Sequence, residues 1–430
     1  MLDLTKLTQQ MKGIGTHLIQ EAEASQQRIV RAQRLLTQAQ EQQDTLGATL
    51  DQWRDRIGFS IAEPLEPLHL RRAIATAPAA HTVIATDGSQ ISPSHHEIAY
   101  CYLINVGRVV LHYGQNRYPL LDGLPEVFYR AEDLYRSRQW GIRTEEWMGF
   151  QRTVSEAVEL ADLALEALDL NLDSSSLSDS SDTVASVVSS STPHPTSSST
   201  RSHKTERPVI PSLAMVDGSL IYWFLEPLPS EARDRLLPPV LDSWEKLRQA
   251  RIPVVGYLSA SRSREVLNLL RLQLCGYETP DCMTHCAGQT DTAVCHQLVS
   301  LRDTALWMTQ LQPGERSPIF RSSARILDSY GDHVIHFCYI HVGTEVARLE
   351  FPAWVSDDSQ LLDTALTLTI AQVQKGYGYP VALAEAHNQA VVRGGDRARF
   401  FALLEHQMIR AGLTNISTSY KETRKRGSIA

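Results

Sequence analysis

Two Asp-Gly-Ser triplets stand out as residues that could do chemistry, because each directly follows a short apolar, β-branched run. Asp87 follows residues 82–86 and Asp217 follows residues 212–216. An Asp at the carboxyl end of a strand is held rigidly and points into the crevice where α/β sheets bind ligands, and the Gly after it lets the chain turn sharply. A single Asp-Gly pair is a common turn signal. Because two copies follow two predicted buried strands, two interpretations stay open: a pair of structural turns, or a pair of functional carboxylates.

A pair of carboxylates suits a hard divalent cation such as Mn²⁺ or Mg²⁺, which takes oxygen ligands. Two such ions roughly 4 Å apart stabilise both the attacking and the leaving oxygen in phosphodiester cleavage. Two aspartates are few for this chemistry, so we expect a third acidic ligand. The helix before the second triplet offers Glu156 and Glu159, which are three residues apart and lie near one face. For either one, solvated helix charge is the alternative interpretation.

An apolar segment that begins at Pro380 leads to a histidine, His387. This histidine could be a metal ligand, or a general acid that protonates the leaving oxygen. Tyr379, just before the segment, could position a phosphate or a water molecule. A structural histidine with its hydrogen bonds satisfied is the alternative.

Three arginines are candidate contacts to phosphate groups. Arg262 follows a predicted strand, at a strand-to-helix turn of the kind that binds phosphate, although a solvated surface position is the alternative. Arg316 lies in the sequence Pro-Gly-Glu-Arg-Ser-Pro, whose Gly and prolines indicate a shaped loop, and such loops often carry function. Arg393 follows His387 closely and could line the same groove. The basic segment at residues 421–426 would add nonspecific DNA affinity or be a frayed, solvated end.

The elements that must position these residues divide the chain into four parts. We predict an N-terminal helical arm at residues 1–63, an α/β nuclease-type domain formed by residues 80–172 and 207–411, a Ser-rich insertion at residues 173–206, and a basic tail at residues 412–430. The arm has apolar residues at helical spacing, and it either packs on another helix as a dimerisation arm or folds back on its own domain. The insertion is too poor in apolar residues to offset its ordering entropy, so we expect a disordered surface segment.

The patterns within the α/β domain predict a mixed central sheet flanked by helices. Three early strands in series, at residues 82–86, 98–106 and 108–113, indicate an antiparallel start to the sheet. The last two are expected to join at Gly107. Residues 144–170 form the predicted helix that contains the candidate glutamates.

Composition excludes some classes of protein and does not by itself indicate a nuclease. The net charge is −8 and the pI is about 6.0, so a whole-chain basic signature for nucleic acid is absent, although a local basic groove can lie on an acidic protein. Residues 1–27 lack an apolar signal-peptide core, and no segment approaches the roughly 18 apolar residues of a membrane span. No Gly-rich phosphate loop occurs, which argues against an intrinsic ATPase.

The six cysteines are dispersed along the chain. Without a secretion signal, reduced thiols in the cytoplasm are the default expectation. Cys275, Cys282, Cys286 and Cys295 could bind Zn²⁺, but their spacing lacks the Cys-x-x-Cys pairs of common zinc modules. We therefore do not count them among the site residues.

Three motifs, in this order, resemble the signature of the NurA nuclease family: Asp87-Gly88-Ser89, Asp217-Gly218-Ser219-Leu220, and Tyr379-Pro380 followed by Leu383 and Ala386-His387. The similarity spans roughly residues 82–404 and is interrupted by the Ser-rich insertion. The resemblance implies an RNase H-like core and an Mn²⁺-dependent deoxyribonuclease that cuts single-stranded DNA and duplex ends, as an endo- and exonuclease of 5′ to 3′ polarity. It also implies a homodimer that works with a hexameric HerA-type translocase ATPase in end resection and double-strand break repair.

Carried over residue by residue, the resemblance matches Asp87 and Asp217 to the two metal-binding aspartates of the family. It matches Tyr379 and His387 to the family's C-terminal Tyr and His. The family has a further acidic residue on the helix between the aspartates, where we favour Glu156 over the other candidate because it follows an arginine within the helix. The resemblance thus implies that these aspartates, the glutamate and the histidine hold the metal, with the tyrosine orienting the scissile phosphate.

Two other functions are compatible with the same residues. A noncatalytic adaptor would keep this fold, dimerise through the N-terminal helix, and bind an ATPase or a DNA end without cutting it. A metal-dependent phosphatase acting on small phosphoesters would use the same carboxylates but would not need a broad groove lined with arginine.

Overall fold

One large sheet organises the chain. The computed structural model describes residues 3–11, 13–93, 99–177, 210–286, 293–298 and 300–412. Residues 178–206 of the predicted insertion and residues 413–430 of the predicted tail lie outside the described residues.

The described residues form the following strands and α-helices, numbered in chain order. The strands are β1 (Ala62–Pro64), β2 (Arg72–Ala73), β3 (His81–Ile91), β4 (Tyr102–Tyr113), β5 (Leu120–Phe128), β6 (Ser212–Asp217), β7 (Val254–Leu258), β8 (Glu315–Arg316), β9 (Phe320–Ser322), β10 (Ile335–His341) and β11 (Val346–Pro352). The α-helices are α1 (Leu4–Gln10), α2 (Ile14–Glu41), α3 (Gln43–Trp53), α4 (Ala131–Tyr135), α5 (Thr144–Leu177), α6 (Ser230–Gln249), α7 (Glu265–Leu272), α8 (Cys282–His285), α9 (Asp303–Met308), α10 (Ala353–Ser356), α11 (Ser359–Lys375), α12 (Val381–Ala390) and α13 (Gly394–Arg410). Within the described ranges, no helix combines the length and apolar character needed to cross a bilayer.

Five neighbouring strands form the central part of the sheet, in the order β5-β4-β3-β6-β7. Strands β3, β4 and β5 are antiparallel, whereas β6 lies parallel to β3 and β7 lies parallel to β6. Helices α5 and α6 lie in the connections into β6 and β7, because parallel strands need a crossover. This mixed arrangement is the expected RNase H-like core. Beyond β7 the sheet continues through β11, β10, β9 and β1.

Helices cover both faces of the central strands. Helix α5 packs on β3, β4 and α6, whereas α12 packs on β3, β4 and β5. A Cβ on Gly88 would collide with side chains of α5, and a Cβ on Gly107 would collide with the backbone of α12. Asp87 pairs with Gly107, and successive residues of a strand point to opposite faces. Asp87 therefore faces α12, and α5 covers the opposite face.

The two strands that lead to the aspartates are buried on both faces, as parallel strands between helical layers are. Val83 and Ile84 of β3 and Leu213 and Met215 of β6 have no exposed surface. Burial ends where the two Asp-Gly-Ser triplets begin. The site therefore starts at the rim of a rigid apolar core.

The N-terminal helices pack on the chain's own domain over part of their length. Ala32 and Leu36 of α2 and Leu46 of α3 are buried in a second hydrophobic cluster that also contains residues of α7 and α9. Leu18 and Ile19, nearer the start of α2, are 60% and 62% exposed. Of the two possibilities for the arm, the structure shows folding back from Ala32 onward. Packing on another copy of the chain stays a prediction.

Three boundaries differ from the sequence-based predictions. The prediction of two strands joined at Gly107 is wrong, because β4 is continuous and Gly107 pairs within its ladder. This glycine lets α12 pack closely on the sheet and does not end a strand. Strand β5 has no sequence prediction, since it is an exposed edge strand interrupted by Gly123 and Pro125. Helix α5 continues to Leu177, past the predicted end and into the first residues of the predicted insertion.

Candidate active site

The aspartates of the two triplets lie side by side on neighbouring parallel strands. The ladder between β3 and β6 pairs Thr86 with Val216, so Asp87 and Asp217 come next at the same level. Neighbouring strands lie about 4.8 Å apart, and residues at the same level of a parallel pair project to the same face. The register therefore brings the two predicted carboxylates together.

The edge of β3 is open beyond the second aspartate. Strand β6 ends at Asp217, whereas β3 continues to Ile91. Gly218 turns the chain away with a φ of 120°, a conformation that glycine adopts without strain. Its N–H donates to the carbonyl oxygen of Tyr257 at 3.0 Å, which draws the turn toward β7. The turn thus leaves space beside Asp87.

Glu156 reaches this space from α5. A Cβ on Gly88 would collide with Oε1 of Glu156 and with side-chain carbons of Arg152. The glycine of the first triplet is therefore what admits the glutamate. The hydroxyl of Thr86 donates to the carbonyl oxygen of Glu156 at 2.9 Å and anchors this turn of α5 on β3.

The carboxyl of Glu156 responds to the other two carboxylates. Burial, opposed by Arg152 and reinforced by the charges of Asp87 and Asp217, raises the pKa of Glu156 to about 7. The Nε of Arg152 lies 3.2 Å from Oε1 of Glu156. Three carboxylates that influence one another at a poorly solvated edge are a candidate functional site with a stated physical cause.

Glu159, the other candidate, is engaged elsewhere. Its Oε1 accepts a hydrogen bond from Nη1 of Arg108 at 2.9 Å. Arg108 also donates twice to Asp122 of β5, at 2.7 and 2.6 Å. This ion-pair cluster ties α5 to β4 and β5. The geometry therefore favours Glu156 as the third carboxylate of the site.

His387 approaches from the α12 face. Its Nδ1 lies 2.8 Å from Oδ2 of Asp87, and Nδ1 is the donor when the carboxylate is ionised. Ser89 and Asn105 both donate to the carbonyl oxygen of Ala390 at the end of α12, which fixes the helix on β3 and β4. The His387 side chain is 66% exposed, so its Nε2 is accessible to a substrate or an ion.

Tyr379, just before α12, donates a hydrogen bond to Asp217. Burial raises the pKa of Asp217, the hydrogen bond from Tyr379 lowers it, and the charge of Asp87 raises it. Burial and the charge of Asp217 raise the pKa of Tyr379, so the phenol stays protonated and remains a donor. Its ring packs edge to face on Tyr257, with the ring centroids 5.7 Å apart.

The chemistry of this cluster fits a hard divalent cation, because three neighbouring carboxylates offer oxygen ligands and excess negative charge. Each carboxylate is held by a neighbouring side chain: a histidine, a tyrosine or an arginine. Among the described residues, no group of three or more His, Cys, Asp or Glu side chains is already arranged to hold a metal ion. The carboxylates thus share one region without a closed coordination shell.

The prediction that Arg316 contacts DNA is wrong, because this residue is 1% exposed. Its Nη2 donates to Oε1 of Glu66 at 2.8 Å, and its Nη1 donates to the carbonyl oxygen of Ser317 at 2.8 Å. The guanidinium fixes the loop from inside. Arg262, in the loop after β7, and Arg393, just before α13, are exposed, and their contact with DNA stays a prediction.

None of the six cysteines forms a disulfide. Cys275, Cys286 and Cys295 line a cavity of about 320 Å³. Burial raises the pKa of Cys286, and the neighbouring thiols, Cys282 among them, add to the shift. Among the described residues, these four thiols are near one another but are not arranged to hold a metal ion.

Two residues near the site have no sequence prediction. Arg152 is the direct partner of Glu156, and its position four residues earlier on the same helix was the signal for it. Glu350 of β11 contacts the turn after Asp217. Its signal in the sequence was an Arg-x-Glu pair within an otherwise apolar strand, since alternate residues of a strand share one face.

Comparisons with known proteins give one family match. The NurA domain matches residues 81–392, a span that contains every predicted catalytic residue. The crystal structure of the NurA nuclease from Sulfolobus solfataricus aligns with 96% of this chain and 98% of that chain, at a TM-score of 0.42 and 13% sequence identity. No curated protein matches the sequence.

Proposed function

The chain belongs to the NurA domain family, and we propose on this premise that it is a metal-dependent deoxyribonuclease. The observation that carries the proposal is the meeting of Asp87, Asp217 and Glu156 at the open edge of β3. Three carboxylates gathered at a strand end suit a divalent cation, which would neutralise the negative charge that develops in phosphodiester hydrolysis.

Asp87, Asp217 and Glu156 would hold Mn²⁺ or Mg²⁺, with the exposed Nε2 of His387 as a further donor. Such an ion, when bound, supplies Lewis acidity toward the phosphoryl oxygens. The carboxylates are mounted on β3, β6 and α5, which are packed elements, so their backbone positions are fixed before a substrate arrives.

The remaining site residues handle the proton and the phosphate. Asp87 orients the imidazole of His387 through Nδ1. Where Nε2 does not bind the metal, the protonated ring would instead donate its Nε2 proton to the leaving oxygen. Tyr379 holds Asp217 through its hydroxyl, and by the family resemblance it would also orient the scissile phosphate. Arg152 places a guanidinium beside Glu156 and adds a positive charge for the DNA backbone.

The finer assignments rest on the family resemblance. We propose single-stranded DNA and duplex ends as substrates, cleaved with 5′ to 3′ polarity, and Arg262 and Arg393 as contacts to the phosphates. We also propose a homodimer that works with a HerA-type hexameric translocase ATPase in end resection, in the reducing cytoplasm, where the six cysteines would stay reduced.

The direct test is hydrolysis of labelled single-stranded and duplex oligonucleotides, and of a small aryl phosphate, with Mn²⁺, Mg²⁺ or EDTA. A deoxyribonuclease cleaves the oligonucleotides in the presence of metal and leaves the aryl phosphate intact. Faster hydrolysis of the aryl phosphate would indicate a phosphatase. Tight Mn²⁺ binding by calorimetry without cleavage of any DNA form would indicate a noncatalytic adaptor.

A further inference from the structure

A buried glutamate on β11 holds the turn that follows Asp217. Glu350 is 1% exposed. Its Oε2 accepts hydrogen bonds from the hydroxyl of Ser219 at 2.7 Å and from the N–H of Leu220 at 2.8 Å. Its Oε1 accepts from Nε of Arg348 at 2.7 Å. Both oxygens of the carboxylate are therefore used, one for the turn and one for the core.

The charge balance around this glutamate is not that of a simple ion pair. Arg348 is also 1% exposed, and its Nη1 donates to Oε2 of Glu265 at 2.6 Å while the guanidinium lies 3.6 Å from the ring centroid of Phe337. Two buried carboxylates thus face one guanidinium. Because buried charge is costly unless it is paired and hydrogen-bonded, the donors from the turn complete the solvation of Glu350.

The turn needs an anchor of this kind. Gly218, between Asp217 and the anchored residues, has a φ of 120°, and glycine has little intrinsic conformational preference. Before the glycine, the chain is held by the ladder between β6 and β7. After it, Glu350 holds Ser219 and the N–H of Leu220, and Tyr330 holds the carbonyl oxygen of Leu220. The direction of the Asp217 carboxylate therefore depends on supports on both sides of the glycine, and among them Glu350 contacts the residues nearest to Gly218.

We propose that Glu350 is a positioning residue of the active site: by fixing the Ser219–Leu220 backbone it keeps the Asp217 carboxylate beside Asp87 and so sets the affinity of the site for a divalent metal. The link to metal rests on the proposed function, whereas the link to the turn does not. Residues that orient a metal ligand without touching the metal typically contribute 10–100-fold to affinity or activity.

Glu265 provides a matched control. It is as deeply buried as Glu350, at 5% and 1% exposure, and it shares the same partner, Arg348. Its other oxygen accepts from Ser322, far from the Asp217 turn along the sheet. Both Glu→Gln changes damage the same ion-pair network, but only the change at Glu350 touches the turn.

The experiment compares Glu350→Gln and Glu265→Gln with wild type in the full chain. Hydrogen exchange of residues 218–221 is measured without metal, Mn²⁺ affinity by calorimetry, and KM and kcat for single-stranded DNA separately. Because an amide has one acceptor oxygen where a carboxylate has two, Glu350→Gln cannot serve the turn and Arg348 together. We expect faster exchange at the turn, about 10-fold weaker Mn²⁺ binding and an unchanged KM. Glu265→Gln should lower the melting temperature and leave exchange at the turn and Mn²⁺ affinity as in wild type.

Unchanged exchange and Mn²⁺ affinity in Glu350→Gln would overturn the proposal, as would equal losses in both variants. If Glu350→Gln does not fold, Ser219→Ala removes one donor to Glu350 from the turn itself, and it should change exchange and Mn²⁺ affinity in the same direction. Should wild type bind Mn²⁺ and cut no DNA, the proposed nuclease function fails, while the exchange and Mn²⁺ comparisons still decide the role of Glu350.

Discussion

Replacing Glu156 by glutamine should stabilise the metal-free protein at pH 8 and remove its response to divalent metal. The carboxylate of Glu156 lies at a poorly solvated edge, where Asp87 and Asp217 repel its charge. Glutamine keeps nearly the same shape as glutamate, but it has no charge to bury. A metal ligand is expected to destabilise the folded protein when no metal is bound, because its charge is then buried without a partner.

The magnitude follows from the pKa of this carboxyl. Burial, opposed by Arg152 and reinforced by the aspartates, raises the pKa of Glu156 from 4.5 to about 7. Between these values the folded state binds more protons than the unfolded state, so the stability of the fold falls as pH rises from 4.5 and levels off above 7. Ionising this group in the folded protein costs about 3 kcal/mol, and the side chain is only 17% exposed, so solvent screening removes little of it.

The assay is denaturant unfolding with EDTA at pH 5 and pH 8, followed by thermal unfolding with and without Mn²⁺. We expect Glu156→Gln to gain up to about 3 kcal/mol over wild type at pH 8 and much less at pH 5. Mn²⁺ should raise the melting temperature of wild type, because it binds the folded state, and leave that of the variant unchanged.

Glu159→Gln is the matched control, on the same helix and equally buried, with 18% against 17% exposure of the side chain. It loses an ion pair with Arg108, so it should lose a little stability and keep the full response to Mn²⁺. A Glu156→Gln variant that is less stable than wild type at pH 8, or that Mn²⁺ still stabilises, would refute the reasoning.

Three further predictions concern other parts of the structure. Gly88→Ala should weaken Mn²⁺ binding by about 10-fold or more in calorimetry, because the added Cβ collides with Glu156. Stability should fall as pH drops from 6.5 to about 4, because burial lowers the pKa of His336 to about 4 and the folded state then binds fewer protons than the unfolded state; His336→Gln should flatten this slope in unfolding experiments. Arg316→Met should cost about 3 kcal/mol or more in unfolding, since it leaves the carboxylate of its partner unpaired, without weakening DNA binding, whereas Arg393→Ala should weaken DNA binding with little change in stability.

Each of these predictions has a control and a contrary result. Gly149→Ala is the control for Gly88→Ala, since a Cβ at this helical position meets nothing within 4 Å, and equal Mn²⁺ affinity in the two variants would contradict the steric argument. A pH slope that persists in His336→Gln would assign it to other groups. If Arg316→Met binds DNA more weakly than wild type at a temperature where the variant stays folded, then Arg316 contacts DNA and its purely structural role is contradicted.

Sequence reasoning selected the carboxylates that the structure brings near one another, because their signals are local. Asp87 and Asp217 each end a run of buried strand residues, and the glutamate that joins them lies on a helix whose spacing is visible in the sequence. The helical spacing alone could not separate Glu156 from Glu159. The structural difference between them is the ion pair of Glu159 with Arg108 of β4, a residue distant in the sequence.

The errors come from contacts between distant parts of the chain. Arg316 looked like an exposed loop residue because its partner, Glu66, lies 250 residues away in the sequence. Gly107 looked like the end of a strand because nothing nearby reveals that α12 packs against it. Glu350 was passed over for the same reason, since its contact with Ser219 joins β11 to a turn 131 residues earlier.

The measurement that tests the central claim most directly is cleavage of a labelled single-stranded oligonucleotide by wild type and by Asp217→Asn, in saturating Mn²⁺ and in EDTA. The substitution keeps the shape of the side chain and its hydrogen bond from Tyr379 but removes one of the three charges at the open edge of β3. We predict metal-dependent cleavage by wild type and a loss of more than about 100-fold in the variant, beyond the effect of residues that only orient a ligand. Cleavage that persists in EDTA, or an Asp217→Asn variant as active as wild type, would contradict the account.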